Sequence, residues 1–271
     1  MKKIFFLTMG LLMLISLHSA LIITRSEMGF VSKELYHQNI YAELHFDHIV
    51  QIWDFNSFEL TLINHELQIY TTVDFETFKG YAERQNQAEI NTELRNFDEE
   101  RRNLMAEATN RLFASMRPHF TTVDSIDVFG YKAFEFHVFN SDIITQKIWI
   151  SNDLQNKINQ EINPVNIKRV EQVFKDNRED YFKAIGIRLD PVTMLIESLE
   201  TTGYVVQRVD YGLRNTRDLE YEAEIDKLEN VITDIIETRV DPFIFSYHQR
   251  FRQLDYNAYH IALIRHAESL E

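Results

Sequence analysis

The sequence predicts an α+β fold in which amphipathic helices pack on an antiparallel sheet. Short runs with alternating apolar residues indicate strands, and two longer segments with apolar residues three or four apart indicate helices. The strand runs and the helical segments occur in blocks, which favours an antiparallel sheet with helices packed on it. With 45% apolar residues, 7 Gly and 4 Pro in 271 residues, the chain suits a well-packed domain without flexible linkers.

Residues 1–23 are predicted to be an export segment, either a cleaved signal peptide or an N-terminal membrane anchor. Two lysines precede an apolar run over residues 4–17, and a Ser-Ala pair ending at Ala20 suits cleavage. The apolar character continues through position 23, so an uncleaved tether over residues 4–23 is the alternative. In both cases we expect the body of the chain to be exported to the periplasm or cell envelope.

The remaining residues, 24–271, are predicted to form a single α+β domain that begins with strands. The runs ELHFDHIVQIWDF, SFELTLI and HELQIYTTVDF predict an antiparallel meander over about residues 44–74. Further strands are predicted in TTVDSIDVFGYKAFEFHVFN, DIITQKIWISNDL, GYVVQRVDY, LEYEAEIDKL and DPFIFSYHQRF. Residues 228–240 fit a helix or a strand equally well.

Two helical blocks interrupt the strands. Over about residues 76–116, apolar residues recur three or four apart, as on one side of a helix, and charged residues fall on the opposite side. This pattern predicts one long amphipathic helix or two in series. The second block covers about residues 154–200, where Asn163-Pro164 and Asp190-Pro191 each place a capping residue before a proline at a helix start. The last dozen residues are predicted to form a terminal helix.

Charge and cysteine content exclude several classes of function. The 42 acidic and 28 basic residues give a formal net charge of -14, which disfavours nucleic acid as a partner. The sequence has no cysteine, which excludes disulfides, thiol catalysis, Cys-ligated zinc and iron–sulfur clusters.

Histidine is the residue type that most invites a search for metal or catalytic sites. His45 and His48 form an H-x-x-H pair, but on a single strand residues three apart point to opposite faces, so no metal site is predicted. His119, His137 and His248 stand apart from each other in the sequence, and we expect structural roles for them.

Paired carboxylates are frequent in this acidic chain and single out no site. Glu99-Glu100 and Glu222/Glu224 lie on predicted polar faces, where solvation explains them. The sequence has no G-x-S-x-G motif and no Gly-rich phosphate loop. We therefore predict no catalytic residue, no metal ligand and no cofactor.

The stretch LIRHAES, residues 263–269, resembles the Arg-His signature of the histidine phosphatases. In that family the motif opens the domain, and later residues complete the phosphate site. Here only two residues of the sequence follow the stretch. We expect Arg265 and His266 to lie in the terminal helix without a phosphatase role.

The segment DVFGYKAFEFHVFNSDIITQKIWISNDL resembles the central part of the LolA-like family of small secreted bacterial proteins. The matching positions are a Gly-Tyr-Lys turn and, on the returning strand, a Trp followed by Asp-Leu: Gly130, Tyr131, Lys132, Trp149, Asp153 and Leu154. The stretches LTLINHELQIYTTVDFETFKGY, TGYVVQRVDY and RVDPFIFSYHQRF resemble the family's other strands in the same order. The resemblance covers about half the chain.

The resemblance implies an open antiparallel half-barrel covered by helices, with an apolar cavity that can hold acyl chains. We therefore expect an exported, non-enzymatic binding protein for a lipid or a lipoprotein acyl chain, with ligand-binding residues that no motif identifies. The first alternative is an envelope interaction or structural protein that docks a partner through the 76–116 helix. A hydrolase is the second alternative.

Overall fold

The computed structural model describes residues 19–211 and 228–270, and its strands form one twelve-stranded sheet. The strands, numbered β1 to β12 in chain order, are Ser19–Glu27, Phe30–His37, Ile40–His45, His48–Asp54, Glu59–Asn64, Ile69–Asp74, Pro118–Val128, Tyr131–Asn140, Ile143–Ser151, Tyr204–Asp210, Leu228–Arg239 and Arg252–Gln253. Their order across the sheet is β12-β6-β5-β4-β3-β2-β1-β11-β10-β9-β8-β7. Neighbours are antiparallel except for the parallel pair of β12 and β6. The sheet is not closed, and β12 and β7 are its edges.

Two-residue turns fix the register of several hairpins. The pairs Met28-Gly29, Gln38-Asn39, Phe46-Asp47 and Phe129-Gly130 all have positive φ at both residues. Positive φ at both central residues is the type I′ geometry, whose twist matches that of the flanking strands. The turns therefore connect β1 to β2, β2 to β3, β3 to β4 and β7 to β8 without loop segments.

Six helices lie within the described part of the chain, and capping signals in the sequence mark several of their starts. They are α1 (Phe75–Asn96), α2 (Glu99–Ser115), α3 (Asn152–Glu161), α4 (Pro164–Ala184), α5 (Pro191–Glu200) and α6 (Tyr256–Leu270). The Asn163 side chain accepts from the Val165 amide, and the Asp190 side chain accepts from the Val192 amide. Both caps, the two helices in series within 76–116, the 154–200 block and the terminal helix are as predicted. No helix among the described residues is long and apolar enough to cross a membrane.

The central strands of the sheet are buried on both faces. Along β1, Leu21 and Ile23 belong to a core cluster that also contains residues of α1, α3 and α4. The intervening Ala20 and Ile22 contact a second cluster on the opposite face, as strand alternation requires. There the segment after β11 packs over the first half of the sheet, and α5 packs over the second half. The predicted α+β class, with helices on an antiparallel sheet, is confirmed.

The N-terminal boundary differs from the prediction. Residues 19–23 lie in β1, between β2 and β11, and Ala20, Leu21 and Ile23 are buried in the core. The predicted export segment 1–23 and tether 4–23 therefore overlap the sheet at these positions. A strand covered on both faces is continuously apolar, so its sequence resembles the end of an export segment. Residues 1–18, which carry the rest of the prediction, lie outside the described residues.

Several other predictions need correction or completion. Strands are present from Ser19 onwards among the described residues, well before position 44, and ELHFDHIVQIWDF is two strands separated by the Phe46-Asp47 turn. DPFIFSYHQRF is not a strand but two 3₁₀ turns, Pro242–Phe245 and Tyr247–Arg250. Residues 228–239 are strand, which resolves the ambiguity left by their pattern. The predicted strand LEYEAEIDKL and its acidic row, with Glu222 and Glu224, lie almost wholly outside the described residues.

Candidate functional site

A cavity of about 330 Å³ lies between the sheet and two of the helices that cover it. Strands β2 to β5 and β10 form its floor, and α1 and α4 form its roof. Its lining is mostly aromatic and aliphatic: Glu34, Tyr36, Tyr41, Gln51, Trp53, Phe55, Leu60, Phe78, Ile167, Val170, Glu171, Phe174 and Tyr204. A volume at the lower end of the range for small-molecule sites, roughly 300–1,000 Å³, suits one small or chain-like ligand.

Aromatic contacts hold the roof of the cavity on its floor. Trp53 on β4 meets Phe78 on α1 edge to face, with ring centroids 5.0 Å apart. Phe78 in turn lies 5.9 Å from Phe174 on α4. Edge-to-face pairs contribute about 0.5–1.5 kcal/mol beyond the burial of their surface. The two helices are therefore positioned by the same rings that line the cavity.

A buried polar network lies at one end of the cavity. Arg25 donates from Nε to Glu34 Oε1 at 2.9 Å, and Tyr36 donates to Glu34 Oε2 at 2.5 Å. Tyr204 donates to the same carboxylate oxygen and accepts from Arg25 Nε at 3.2 Å. Arg25 also donates from Nη1 to Asn230 and from Nη2 to the Val205 carbonyl. Both oxygens of Glu34 are therefore already occupied within the protein.

The network shifts its members towards fixed protonation states. Burial, followed by the charge of Glu34, raises the pKa of Tyr36, Tyr41 and Tyr204 above the ordinary tyrosine value. Burial alone would lower the pKa of the Arg25 guanidinium, but the interactions with Tyr204 and Glu34 are stronger and raise it. All three tyrosines keep their protons, Tyr36 and Tyr204 act as hydrogen-bond donors, and the Arg25–Glu34 ion pair keeps its charges.

Other polar groups that line the cavity are less constrained. Among the described residues, no hydrogen bond or ion pair engages the Gln51 amide, the Tyr41 hydroxyl or the Glu171 carboxylate. Tyr41 and Trp53 are direct cross-strand partners on β3 and β4, so their side chains project side by side into the cavity. These three polar groups are available to a ligand, whereas the Arg25 and Glu34 network is not.

The H-x-x-H pair lies away from this cavity lining and has a geometry that the sequence did not indicate. His45 ends β3 and His48 begins β4, so they are opposed across a hairpin instead of sharing one strand. His45 Nε2 lies 2.7 Å from Glu43 Oε1, and the His48 ring stacks on His65 at 4.6 Å. Within residues 19–211 and 228–270, no three His, Cys, Asp or Glu side chains are grouped to hold a metal ion.

The remaining candidate residues are dispersed. His266 lies in α6 with Nε2 3.0 Å from Glu66 Oε1, and Glu99 and Glu100 lie exposed in the first turn of α2. His119 stacks on Phe139, and His137 Nε2 lies 2.6 Å from Glu135 Oε1. His248 is buried against the ring of Tyr70. None of these residues lines the cavity.

The cavity residues themselves were not found from the sequence. Arg25 and Tyr204 are 179 positions apart, and neither belongs to a recognisable motif. The usable signal was the run of aromatic residues at alternate positions, with Tyr41 on β3 and Trp53 and Phe55 on and just after β4. Comparisons of the chain with protein-family models and with curated proteins find no match.

Proposed function

We propose that this protein is an exported, non-enzymatic carrier that binds a hydrophobic ligand, such as a lipid or an acyl chain, in the cavity between the sheet and helices α1 and α4. The proposal includes a LolA-like half-barrel shape for the open sheet. The observation that carries it is an internal space of about 330 Å³ lined by Trp53, Phe55, Leu60, Phe78 and Phe174.

Burial of apolar ligand surface supplies the affinity. Each methylene group transferred from water into such a lining contributes about 0.8 kcal/mol. A chain of ten or more carbons therefore has enough apolar surface to offset the loss of its own freedom on binding. The rings that line the cavity also pack against each other, so the space is preformed and its ordering cost is low.

Two further observations support the other parts of the proposal, namely that the protein is not an enzyme and that it is exported from the cytoplasm. Glu34, the buried carboxylate of the cavity, accepts from Arg25, Tyr36 and Tyr204, so both of its oxygens are engaged and its charge is paired, which disfavours a role as a general base. Export rests on the lysines and apolar run of the first 18 residues. Cleavage after Ala20 would leave the buried Leu21 and Ile23 in the sheet.

The test is ligand retention and uptake by the purified full chain. We expect native mass spectrometry or solvent extraction to find a co-purified lipid, and we expect the neutral probe N-phenyl-1-naphthylamine to bind with one site. Phe174→Ser, at a cavity residue that is 57% exposed, should weaken probe binding about tenfold or more while leaving the fold intact.

The matched control is Val165→Ser, because Val165 lies on the same helix, is 67% exposed and does not line the cavity. It should leave probe affinity unchanged. Absence of both co-purified lipid and probe uptake would contradict the proposal. Equal effects of the two substitutions would place the probe on the helix surface instead of in the cavity.

A second candidate function is protein docking through α2. Three large apolar side chains on this helix are exposed to solvent: Leu104 at 61%, Met105 at 45% and Leu112 at 54%. Scattered exposed apolar residues are common, but three on one short helix favour a contact surface. Leu104→Glu with Leu112→Glu should abolish recovery of a cross-linked envelope protein if α2 docks a partner, and should have no effect if it does not.

A further inference from the structure

The charge of the cavity lining is uneven. Its two carboxylates, among the described residues, are Glu34 and Glu171. Glu34 is neutralised by Arg25 and accepts from two tyrosines. No hydrogen bond or ion pair to the Glu171 carboxylate exists within the described residues. The cavity therefore has an excess negative charge on the α4 side.

Glu171 is placed at the mouth of the apolar space. On α4, Ile167 and Phe174 lie four and three residues from it and line the same cavity, so all three share one helix face. The residue as a whole is exposed, yet partial burial of its carboxyl group raises the pKa of that group. A carboxylate that is partly desolvated and unpaired gains more from a cationic partner than a fully hydrated one does.

Neighbouring basic residues form no ion pair with Glu171 among the described residues. Arg169 donates from Nη2 to Glu76 at 2.8 Å, and its guanidinium lies over the rings of Phe58 and Phe75 at 4.6 and 4.4 Å. Lys168 attracts the Glu171 charge and lowers its pKa in part, but it forms no ion pair with it among the described residues. Arg169 is thus committed to the seam between α1 and α4.

The rings beside Glu171 add a second attraction for a cation. Tyr41, Trp53, Phe78 and Phe174 line the same cavity. Aromatic faces attract ammonium groups by about 0.5–2 kcal/mol, and a quaternary ammonium is accommodated without hydrogen-bond donors. A carboxylate head group would meet the charge of Glu171 and the negative faces of these rings.

Building on the proposed function, we propose that the ligand is an amphipathic cation, with its apolar chain among Trp53, Leu60 and Phe78 and its ammonium group beside Glu171. The proposal selects an amine or quaternary ammonium lipid over a fatty acid. In this arrangement the apolar lining supplies the affinity for the chain, and Glu171 supplies most of the preference for a cationic head group.

The test compares three ligands with the same chain and different heads: dodecyltrimethylammonium, 1-dodecanol and dodecanoate, each below its micelle concentration. Their one-to-one complexes with the full chain are measured by native mass spectrometry and by quenching of tryptophan fluorescence. We expect the cation to bind about tenfold more tightly than the alcohol, equivalent to about 1.4 kcal/mol, and dodecanoate to bind most weakly. Glu171→Gln should remove most of the preference for the cation and leave alcohol affinity unchanged.

The control is Glu179→Gln, an exposed carboxylate on α4 that does not line the cavity. Because the chain has a net charge of -14, this control separates local recognition from general attraction. The proposal is overturned if dodecanoate or dodecanol binds as tightly as the cation, or if Glu179→Gln reduces the preference as much as Glu171→Gln. In those cases the carrier function still stands. If none of the three ligands binds, the carrier function fails as well.

Discussion

Arg25 on β1 and Glu34 on β2 form an ion pair inside the protein, with 2.9 Å between Arg25 Nε and Glu34 Oε1. Their side chains are only 13% and 17% exposed, and Arg25 also reaches Asn230 on β11. The pair thus connects the first two strands to the strand that follows the undescribed residues 212–227. It joins parts of the chain that are distant in sequence at the polar end of the cavity.

Removal of one partner of this pair should destabilise the protein strongly. Arg25→Leu leaves Glu34 buried without its cation, and we expect a loss of about 3–5 kcal/mol in the free energy of unfolding. The double variant with Glu34→Gln removes the uncompensated charge and should recover part of that loss. Urea denaturation of both variants is the measurement. A loss below about 1 kcal/mol in the single variant would mean that solvent hydrates the carboxylate.

Alkaline pH should lower the free energy of unfolding more steeply than in a protein whose tyrosines are all exposed. Burial raises the pKa of Tyr36 and Tyr204 in the folded state above the ordinary value of about 10. Above that pH the unfolded chain loses tyrosine protons that the folded protein keeps, so stability falls as pH rises. The slope of unfolding free energy between about pH 10 and 11.5 measures this effect. Tyr204→Phe should make that slope shallower, and an unchanged slope would contradict the assignment.

Acid should loosen the C-terminal segment that packs over the sheet. Burial lowers the pKa of His248 and His260, so the folded state binds these protons less readily than the unfolded state. Stability contributed by these groups is fully present above about pH 6.5 and is lost as pH falls through the folded pKa values. Protection factors from hydrogen exchange, which correct for the slower intrinsic exchange in acid, should fall for residues 242–270 between pH 7 and pH 5. His248→Phe should reduce that loss of protection, and a uniform loss over the whole sheet would argue against a local effect.

Gly203 and Gly29 should respond to alanine for different reasons. A Cβ at Gly203 would lie 2.8 Å from Ile150 Cγ2 and 3.1 Å from the Ser151 carbonyl carbon, which is too close for the packed strands. We expect Gly203→Ala to cost about 1–3 kcal/mol through overpacking. Gly29 has open space around it but φ of +85°, so Gly29→Ala should cost about 1 kcal/mol through backbone strain. Thermal or urea unfolding checks both, and a smaller effect at Gly203 than at Gly29 would contradict the packing argument.

Local signals in the sequence predicted much of the secondary structure. Asn163-Pro164 and Asp190-Pro191 mark helix starts because the side-chain caps need only neighbouring residues. Asp241-Pro242 has the same capping pattern, but the apolar residues after it favour a strand when only the sequence is considered. In the structure Asp241 accepts from the Phe243 amide and starts a 3₁₀ turn.

The N-terminal strand and the cavity depend on long-range contacts that no local pattern contains. The apolar residues of β1 fit an export segment and a buried central strand equally well until β2 and β11 are placed on either side. Tyr204 meets Arg25 only because β10 lies two strands from β1 across β11. The resemblance to the LolA-like family implied an apolar cavity and identified no residue that lines one.

The most direct test of the account is to locate a bound chain by photocrosslinking. A dodecanol analogue with a diazirine at the end of its chain is irradiated with the purified full protein, and the modified peptides are identified by mass spectrometry. We predict adducts on the β4–β5 segment around Trp53 to Leu60 and on α4 between Ile167 and Phe174, with excess dodecanol competing for both. Adducts confined to the exposed face of α2, or labelling that dodecanol does not reduce, would contradict a ligand site between the sheet and its helices.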